Sequence, residues 1–235
     1  AVQSLCFEQA GFFTGGFSKV KRQGKWGYVD RTGCEAVPLS YDEIRLLSGY
    51  YAAVRQAELW GIRALAGREI VPPVFDAVDA FSEGLAPVLQ NGKWGYVNEV
   101  GAMVIAPCYD KARGFSGGLA PVKKDLYWGY IDCAGREVIS CRYQDAERFS
   151  SGVAWVKTDG LWGLIACDGR MVMTPRYDKQ PLRSFTGAPE AVMHEGRFLF
   201  IDEQGGQCGT TYENCMIFSE EMAGVSLEGQ WGFID

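Results

Sequence analysis

Hydrophobic and polar positions return in the same order along the 235 residues of this chain. An apolar run ending in valine, Gly84-Leu85-Ala86-Pro87-Val88, gives way to a short polar stretch closing on Asn91-Gly92. Lys93-Trp94-Gly95-Tyr96-Val97-Asn98 follows. Asn-Gly supplies the positive φ of a type I′ hairpin, so the pattern predicts two antiparallel strands joined by a tight turn. Asp-x-x-Gly comes next, as in Asp30 to Gly33 and Asp132 to Gly135, with an Asx residue at the turn start and glycine at the left-handed position. A third strand then reads Glu69-Ile70-Val71-Pro72-Pro73, or Glu137-Val138-Ile139 in a later copy. Proline cannot donate to a ladder, so that strand should end at a sheet edge or leave the sheet. Tyr109-Asp110 opens a bend that reaches Phe115-Ser116-Gly117-Gly118 and the next copy. Three strands in this span leave no room for a helix longer than about one turn.

The period is fixed. Trp26, Trp60, Trp94, Trp128 and Trp162 are each followed by glycine and lie 34 residues apart. Phe198-Leu199-Phe200-Ile201-Asp202 is a worn copy, and Trp231-Gly232-Phe233-Ile234-Asp235 is the last. Valine precedes every anchor by six residues, at Val20, Val54, Val88, Val122, Val156, Val192 and Val225. In the middle strand Trp94 and Tyr96 point to one face, Gly95 and Val97 to the other. A sheet with one wet face alternates apolar and polar, so this strand is expected to be buried on both sides. The glycine beside each tryptophan should leave a gap for a bulky side chain of the neighbouring unit. The units are therefore expected to stack face to face. Arg63 interrupts the aliphatic column and predicts a partly exposed rung.

The expected fold is all-β: a closed, propeller-like ring of seven three-stranded antiparallel units forming one domain over 1–235. Phe7-Glu8 aligns with Tyr143-Gln144, which would let residues 219–235 and 1–7 build the last unit together. An open β-solenoid, or a fragment of a longer array, is the alternative.

Lys-Trp-Gly-Tyr-(Val/Ile)-Asp with Val-Ile-x-Pro-x-Tyr-Asp and Phe-Ser-x-Gly-Leu-Ala-Pro-Val, best seen at Lys93–Asn98, Gly101–Asp110 and Phe115–Val122, resembles the WG-repeat family of bacterial proteins. The resemblance implies a β-repeat scaffold serving interaction, with no catalytic residues to carry over. Departures are Phe198-Leu199 for Trp-Gly, Ala64 and Ala166 for the turn aspartate, and Ser140-Cys141 for the prolines. They bear on the geometry of those units.

Composition narrows the function. A net charge of −6 without a basic stripe would repel a phosphate backbone, so nucleic acid is a poor partner. No apolar run approaches the length of a membrane span. The eight cysteines form no C-x-x-C and are accompanied by one histidine, which argues against zinc. Cys108, Cys141 and Cys208 suit small hydrophobes, and free thiols in a reducing, cytoplasmic compartment are favoured over a disulfide framework. No cofactor is expected.

The lone His194 stands in Met193-His194-Glu195-Gly196, a predicted hairpin turn, and has no neighbours suggesting a catalytic triad. Asp42, Asp76, Asp110 and Asp178 could ring a cation, but an Asp after an aromatic at a bend more often bonds its own backbone. The anchors Trp26, Trp60, Trp94, Trp128, Trp162 and Trp231 could stack on sugars; beside glycine in a doubly buried strand, core packing is favoured. Residues that break a column are the candidate contacts: Trp155 where Pro87 and Pro121 stand, Tyr50-Tyr51 in place of Leu-Ala, and the turn residue His194. For Trp155 and the tyrosine pair, local repacking is the competing explanation. The sequence thus points to a non-enzymatic scaffold for a protein partner, with a multivalent glycan-binding ring second and a small enzyme third.

Overall fold

The computed structural model describes residues 6–48, 50–182, 189–202, 206–216 and 218–235. Its described residues form strands and turns, and no helix among them is long and apolar enough to cross a membrane. The chain divides into two compact units, 1–115 with 133–135, and 116–132 with 136–235.

Unit 1 holds three antiparallel sheets. Sheet I is β1 (Gln9–Thr14), β2 (Phe17–Arg22), β3 (Lys25–Asp30) and β4 (Glu35–Tyr41), paired in that order. Sheet II runs β5 (Glu43–Ser48), β6 (Tyr51–Gln56), β7 (Leu59–Ala64) and β8 (Glu69–Phe75). Sheet III follows with β9 (Ala77–Val78), β10 (Leu85–Gln90), β11 (Lys93–Asn98) and β12 (Met103–Tyr109). The short β13 (Lys111–Ala112) is the last strand of the unit.

Unit 2 continues with sheet IV, containing β14 (Leu119–Lys124), β15 (Tyr127–Asp132) and β16 (Glu137–Tyr143). Sheet V comprises β17 (Asp145–Ala146), β18 (Val153–Thr158), β19 (Leu161–Ala166) and β20 (Met171–Tyr177). Sheet VI is β21 (Lys179–Leu182), β22 (Glu190–His194), β23 (Arg197–Ile201) and β24 (Gln207–Tyr212). Sheet VII has β25 (Asn214–Cys215), β26 (Ala223–Leu227) and β27 (Gln230–Ile234).

Sheets I, II, III, V and VI thus have four strands where three were expected. The added strand is the bend itself: once past Asp76 the chain runs beside the next hairpin, pairing Val78 with Val88 and Ala77 with Leu89. In sheets III and V this strand has only two residues, too few for a periodic pattern to register, while β1, β5 and β21 extend it to six, six and four. Completion of the last unit by residues 1–7 draws on residues 1–5, which lie outside the described residues. Among the described residues, no strand pairs with the outer edge of β27.

The turns follow their sequences. Asn91 and Gly92 take φ of 51° and 74°, the left-handed pair of a type I′ hairpin. Asp30 Oδ1 accepts from the Thr32 and Cys34 amides at 2.8 and 3.1 Å, and Gly33 closes the turn with φ 85°. Where Ala64 and Ala166 replace the aspartate, the backbone bonds Gly67 N to Ala64 O and Gly169 N to Ala166 O, both 2.9 Å, keep the turn, with Arg63 donating to the Gly67 carbonyl in one and Asp168 Oδ1 accepting from the Arg170 amide in the other.

Within each unit the sheets stack face to face. The tyrosine face of a middle strand meets the following sheet and the aliphatic face meets the preceding one. Tyr28 packs with Ile44, Ala52, Val54 and Leu65 between sheets I and II; Ile62 and Val97 share the layer between II and III. In unit 2, Tyr130 and Ile165 share one layer, Leu164 and Ile201 the next. Each fully buried aliphatic side chain contributes about 1.5–3 kcal/mol, so the layers hold the stack together. Tyr96 and Tyr130, deep in these layers, donate their hydroxyls to the carbonyls of Arg113 (2.9 Å) and Glu147 (2.7 Å).

The gap beside Trp26, Trp60, Trp94, Trp128 and Trp162 has a different occupant from the one expected. A Cβ on Gly27, Gly61, Gly95, Gly129 or Gly163 would lie 2.4–2.6 Å from the carbonyl oxygen of Val37, Val71, Ile105, Ile139 or Met173. Those oxygens belong to the outer strand of the same sheet. Between Trp94↔Tyr109 and Tyr96↔Ile105, β11 advances two residues while β12 advances four, so the outer strand bulges into the space over glycine. The indole of a neighbour has no part in it. The prolines sit in this bulge, on an edge strand, as their missing N–H requires. Ser140-Cys141 makes the same bulge without proline. Across the other side of the strand, valine faces the glycine: Val20↔Gly27, Val54↔Gly61, Val88↔Gly95, Val122↔Gly129 and Val156↔Gly163.

Arg63 does not open its rung. Its guanidinium reaches Tyr41 Oη at 3.0 Å, Glu69 at 3.2 Å and the Gly67 carbonyl at 2.5 Å. The side chain is largely covered, with Nε left without a partner.

Candidate binding surfaces

The tryptophan anchors divide by position. Trp128 and Trp162 are buried; Trp26, Trp60 and Trp94 are half-buried; Trp231, on the outer edge of β27, is 58% exposed. Cations lie over three of the anchors, Trp26, Trp60 and Trp162. Lys19 and Lys21 Nζ lie 4.2 and 5.4 Å from the Trp26 ring centre. Arg45 and Arg55 cover Trp60 at 5.1 and 5.8 Å, and Lys157 lies 5.9 Å from Trp162. Each such contact is worth about 0.5–1 kcal/mol at an exposed site. A sugar would have to displace the cation before stacking.

The four expected contact residues fall into two pairs. Tyr50 and Tyr51 lead into β6 in unit 1. Tyr50 is 80% exposed while its carbonyl accepts from Leu65 N at 2.8 Å. Tyr51 is half-buried, its ring tilted against Phe81 with centroids 4.6 Å apart. Burial, then the Glu99 carboxylate, raises its phenol pKa. Trp155 and His194 are in unit 2, on either side of Tyr177. Trp155 is 2% exposed, edge-on to Tyr177 at 6.0 Å, and its Nε1 donates to the Glu190 carboxylate. Its column position points into the layer between sheets V and VI, so the indole enlarges the core and offers a partner no surface. His194 is the last residue of β22, not a turn residue. Its Nδ1 lies 2.9 Å from the Arg176 carbonyl and its ring meets Tyr177 edge-on at 5.9 Å.

The aspartates after the aromatic are tied differently from the expected local turn. Asp42 Oδ1 bonds Lys25 Nζ, and Oδ2 accepts from the Ala57 amide at 3.1 Å, fifteen residues on. These bonds, Lys25 first, hold the Asp42 carboxyl below the usual carboxylate range. Lys93 and Asp110 repeat the ion pair at 2.5 Å. Each lysine precedes a tryptophan and each aspartate begins the next short strand, so the pair clasps one sheet to the next. Asp76 and Asp178 enter their strands through backbone bonds to Leu89 O (2.9 Å) and Met193 O (2.8 Å). Among the described residues, no three His, Cys, Asp or Glu side chains are grouped to hold a metal ion.

The eight cysteines are free. Cys141 and Cys208 are half-buried as small hydrophobes would be, whereas Cys108 is exposed because the residue before the strand-end tyrosine points outward.

Among the described residues of unit 1 the most exposed large apolar side chain, Phe12, is not one of the expected contacts. Phe12 is 97% exposed and Phe13 54%, both on β1. Eight residues before the strand valine, Phe12 occupies the column of Leu46, Ala80, Gly114 and Arg148. Leu46, on the adjacent sheet, is also exposed. Phe12, Phe13, Leu46 and Tyr50 place apolar surface around the first strands of sheets I and II. Comparing Phe12 with Gly114 in the same column is the signal that would have found them.

Known proteins place this architecture. A crystal structure of a eukaryotic initiation factor superposes with a TM-score of 0.59 at 7% identity, covering 95% of this chain and 71% of that one. Hsv2p of Kluyveromyces lactis superposes with a TM-score of 0.50 at 12% identity, covering 91% and 87%. At such identity the likeness concerns the fold alone: repeated antiparallel β-sheets. No curated protein matches the chain. The family model of the WG containing repeat matches residues 26–60, 65–94, 94–125 and 128–162, in register with the tryptophan anchors, and the chain belongs to that family.

Proposed function

We propose that this chain is a non-enzymatic repeat scaffold whose partner is another protein. The observation that carries this reading is the set of exposed apolar side chains on unit 1: Phe12, Leu46 and Tyr50, whose columns hold Ala80, Gly114, Arg148 or glycine in later repeats, and Phe13, exposed in a column that elsewhere buries Phe115 and Phe149. Exposed aromatics held on a rigid frame are the usual anchors of protein interfaces. The family match carries no catalytic assignment, and the cations over Trp26, Trp60 and Trp162 weigh against several equivalent sugar platforms. The test is affinity capture from the native host with the wild-type chain and with Phe12→Ser/Tyr50→Ser. Loss of one stoichiometric protein with the double variant, at unchanged melting temperature, is the expected result. Identical captures from both baits would reject this surface.

For the sheets as a whole we propose the propeller-like ring expected from the repeat spacing, residues 1–7 supplying an outer strand to sheet VII. Two facts support it: among the described residues nothing lies within 4 Å of a Cβ on Gly232, unlike its glycine counterparts on the other middle strands, and Phe233 beside it is 76% exposed. Gly232→Ala should then destabilise as Gly95→Ala does; a harmless Gly232→Ala would remove the closing strand from the account.

A further inference from the structure

In unit 2 the junction between sheets IV and V keeps neither partner of the lysine–aspartate clasp that Lys25–Asp42 and Lys93–Asp110 make in unit 1. Tyr127 stands one before Trp128 where Lys25 and Lys93 stand before their tryptophans. Gln144 follows Tyr143 where Asp42 and Asp110 follow Tyr41 and Tyr109. Both partners have become neutral, and between them the surface opens into a cleft of about 330 Å³ lined by Tyr127, Cys141, Arg142, Gln144, Thr158 and Asp159. That volume is at the lower end for small-ligand sites.

The lining has a definite chemistry. Gln144 Oε1 accepts from the Gly160 amide at 2.7 Å, which fixes the side chain and leaves its Nε2 hydrogens as donors. Arg142 lies over the Tyr143 ring, 5.2 Å from its centre, and gives one N–H to Tyr143 Oη at 2.9 Å, so its plane is held while other donors stay free. Asp159 projects from the β18–β19 turn as an acceptor, and the Thr158 and Tyr127 hydroxyls serve as both. Tyr127 adds an exposed ring. Arg142 and Asp159 cancel in charge. Burial, then the Glu137 carboxylate, raises the Cys141 thiol pKa, so this sulfur stays protonated and is no nucleophile.

We propose that this cleft is a single binding site for a neutral polyhydroxylated ligand, one or two sugar rings, independent of the protein-binding surface on unit 1. Each hydroxyl of a sugar donates and accepts, matching guanidinium and amide on one side and carboxylate on the other, while a C–H face covers Tyr127. An anion would meet Asp159 and a cation Arg142, whereas a polyol meets neither penalty. One site is expected because Tyr127 and Gln144 replace both clasp positions, whereas the junctions with Leu59 and Leu161 keep the aspartates Asp76 and Asp178.

The repeat itself supplies the test. Tyr127→Lys with Gln144→Asp installs the clasp that Lys25–Asp42 and Lys93–Asp110 make and should close the cleft without unfolding the chain. The wild-type protein is titrated with glucose, galactose, mannose, N-acetylglucosamine and their β-linked disaccharides, following the Gly160 amide by NMR. Saturable binding of one sugar per chain, with a Kd of about 1 mM or tighter, is expected. The closing variant should bind at least tenfold more weakly. Arg142→Ser, which installs the residue of sheet I, gives the same reading should the double variant misfold. No saturable shift with any sugar, binding unchanged in both variants, or saturation by glycine in place of sugars would overturn the proposal. Retention of the protein partner by the closing variant keeps the two readings separate.

Discussion

Leu199 on β23 lies opposite the stretch of β24 that contains Gly209, and together they invert the arrangement of the other sheets. Elsewhere the middle strand has glycine and the outer strand bulges over it with ordinary residues. In sheet VI the middle strand has a buried leucine, and Gly209 turns to φ 75° within the strand it faces. The bulge survives: Phe198↔Tyr212 and Phe200↔Cys208 span the same two-against-four register. Conformational freedom has moved across the ladder to the strand that must yield.

Substitution should expose that trade. Gly95→Ala would put a methyl 2.4 Å from the Ile105 carbonyl, and a cost of about 3 kcal/mol is expected because backbone must move. Gly209→Ala should cost about 1–2 kcal/mol through its left-handed φ, with no clash closer than Tyr212 Oη at 3.6 Å. Urea denaturation of the two variants measures both; equal costs would undo the distinction.

Much of this was legible before any coordinates. The spacing of tryptophan and valine located the hairpins, Asn91-Gly92 specified its turn, and the two apolar faces of Trp94–Val97 required neighbours on both sides. The two-residue strand Ala77–Val78 was illegible because pairing so short leaves no periodicity. The purpose of Gly95 was misread for another reason: a missing side chain announces a close approach without saying whether backbone or side chain makes it. Of the candidate contacts, Trp155 broke its column to enlarge the core, and Phe12 was overlooked although its column holds Gly114 and Ala80.

The clasp between Lys25 and Asp42 gives acid sensitivity a definite sign. The Asp42 carboxyl is depressed in the folded chain, so its contribution is present above the ordinary carboxylate pKa and lost as pH falls through the lowered folded value. Melting temperatures of wild type and Asp42→Asn should differ at neutral pH and converge as the pH falls through the lowered folded pKa of Asp42. A gap that persists there would mean the charge is not the cause.

Thiol accessibility should sort the cysteines. Cys6, Cys34, Cys108, Cys133 and Cys167 are exposed, while burial pushes the Cys215 thiol up to about 11 and raises that of Cys141. Iodoacetamide at pH 8 is expected to label the five exposed residues first, with Cys141 and Cys215 following only on unfolding. Mass spectrometry of early time points reads the order directly.

Tyr130→Phe should cost about 1–2 kcal/mol, because the Glu147 carbonyl loses its 2.7 Å donor where water cannot replace it. The cation-covered Trp26 offers a contrast: Lys19→Met should change the emission of the nearby indole with little loss of stability.

That the main-chain oxygen of Ile105, and not a foreign side chain, seats itself against Gly95 leaves the neighbours' residue identities uncommitted. A repeat can therefore exchange the groups flanking its outer strand, as Tyr127 and Gln144 were exchanged, without disturbing the join that holds the strand in place. Variation collects where it is harmless to the frame, and that is where such a frame can acquire new specificity.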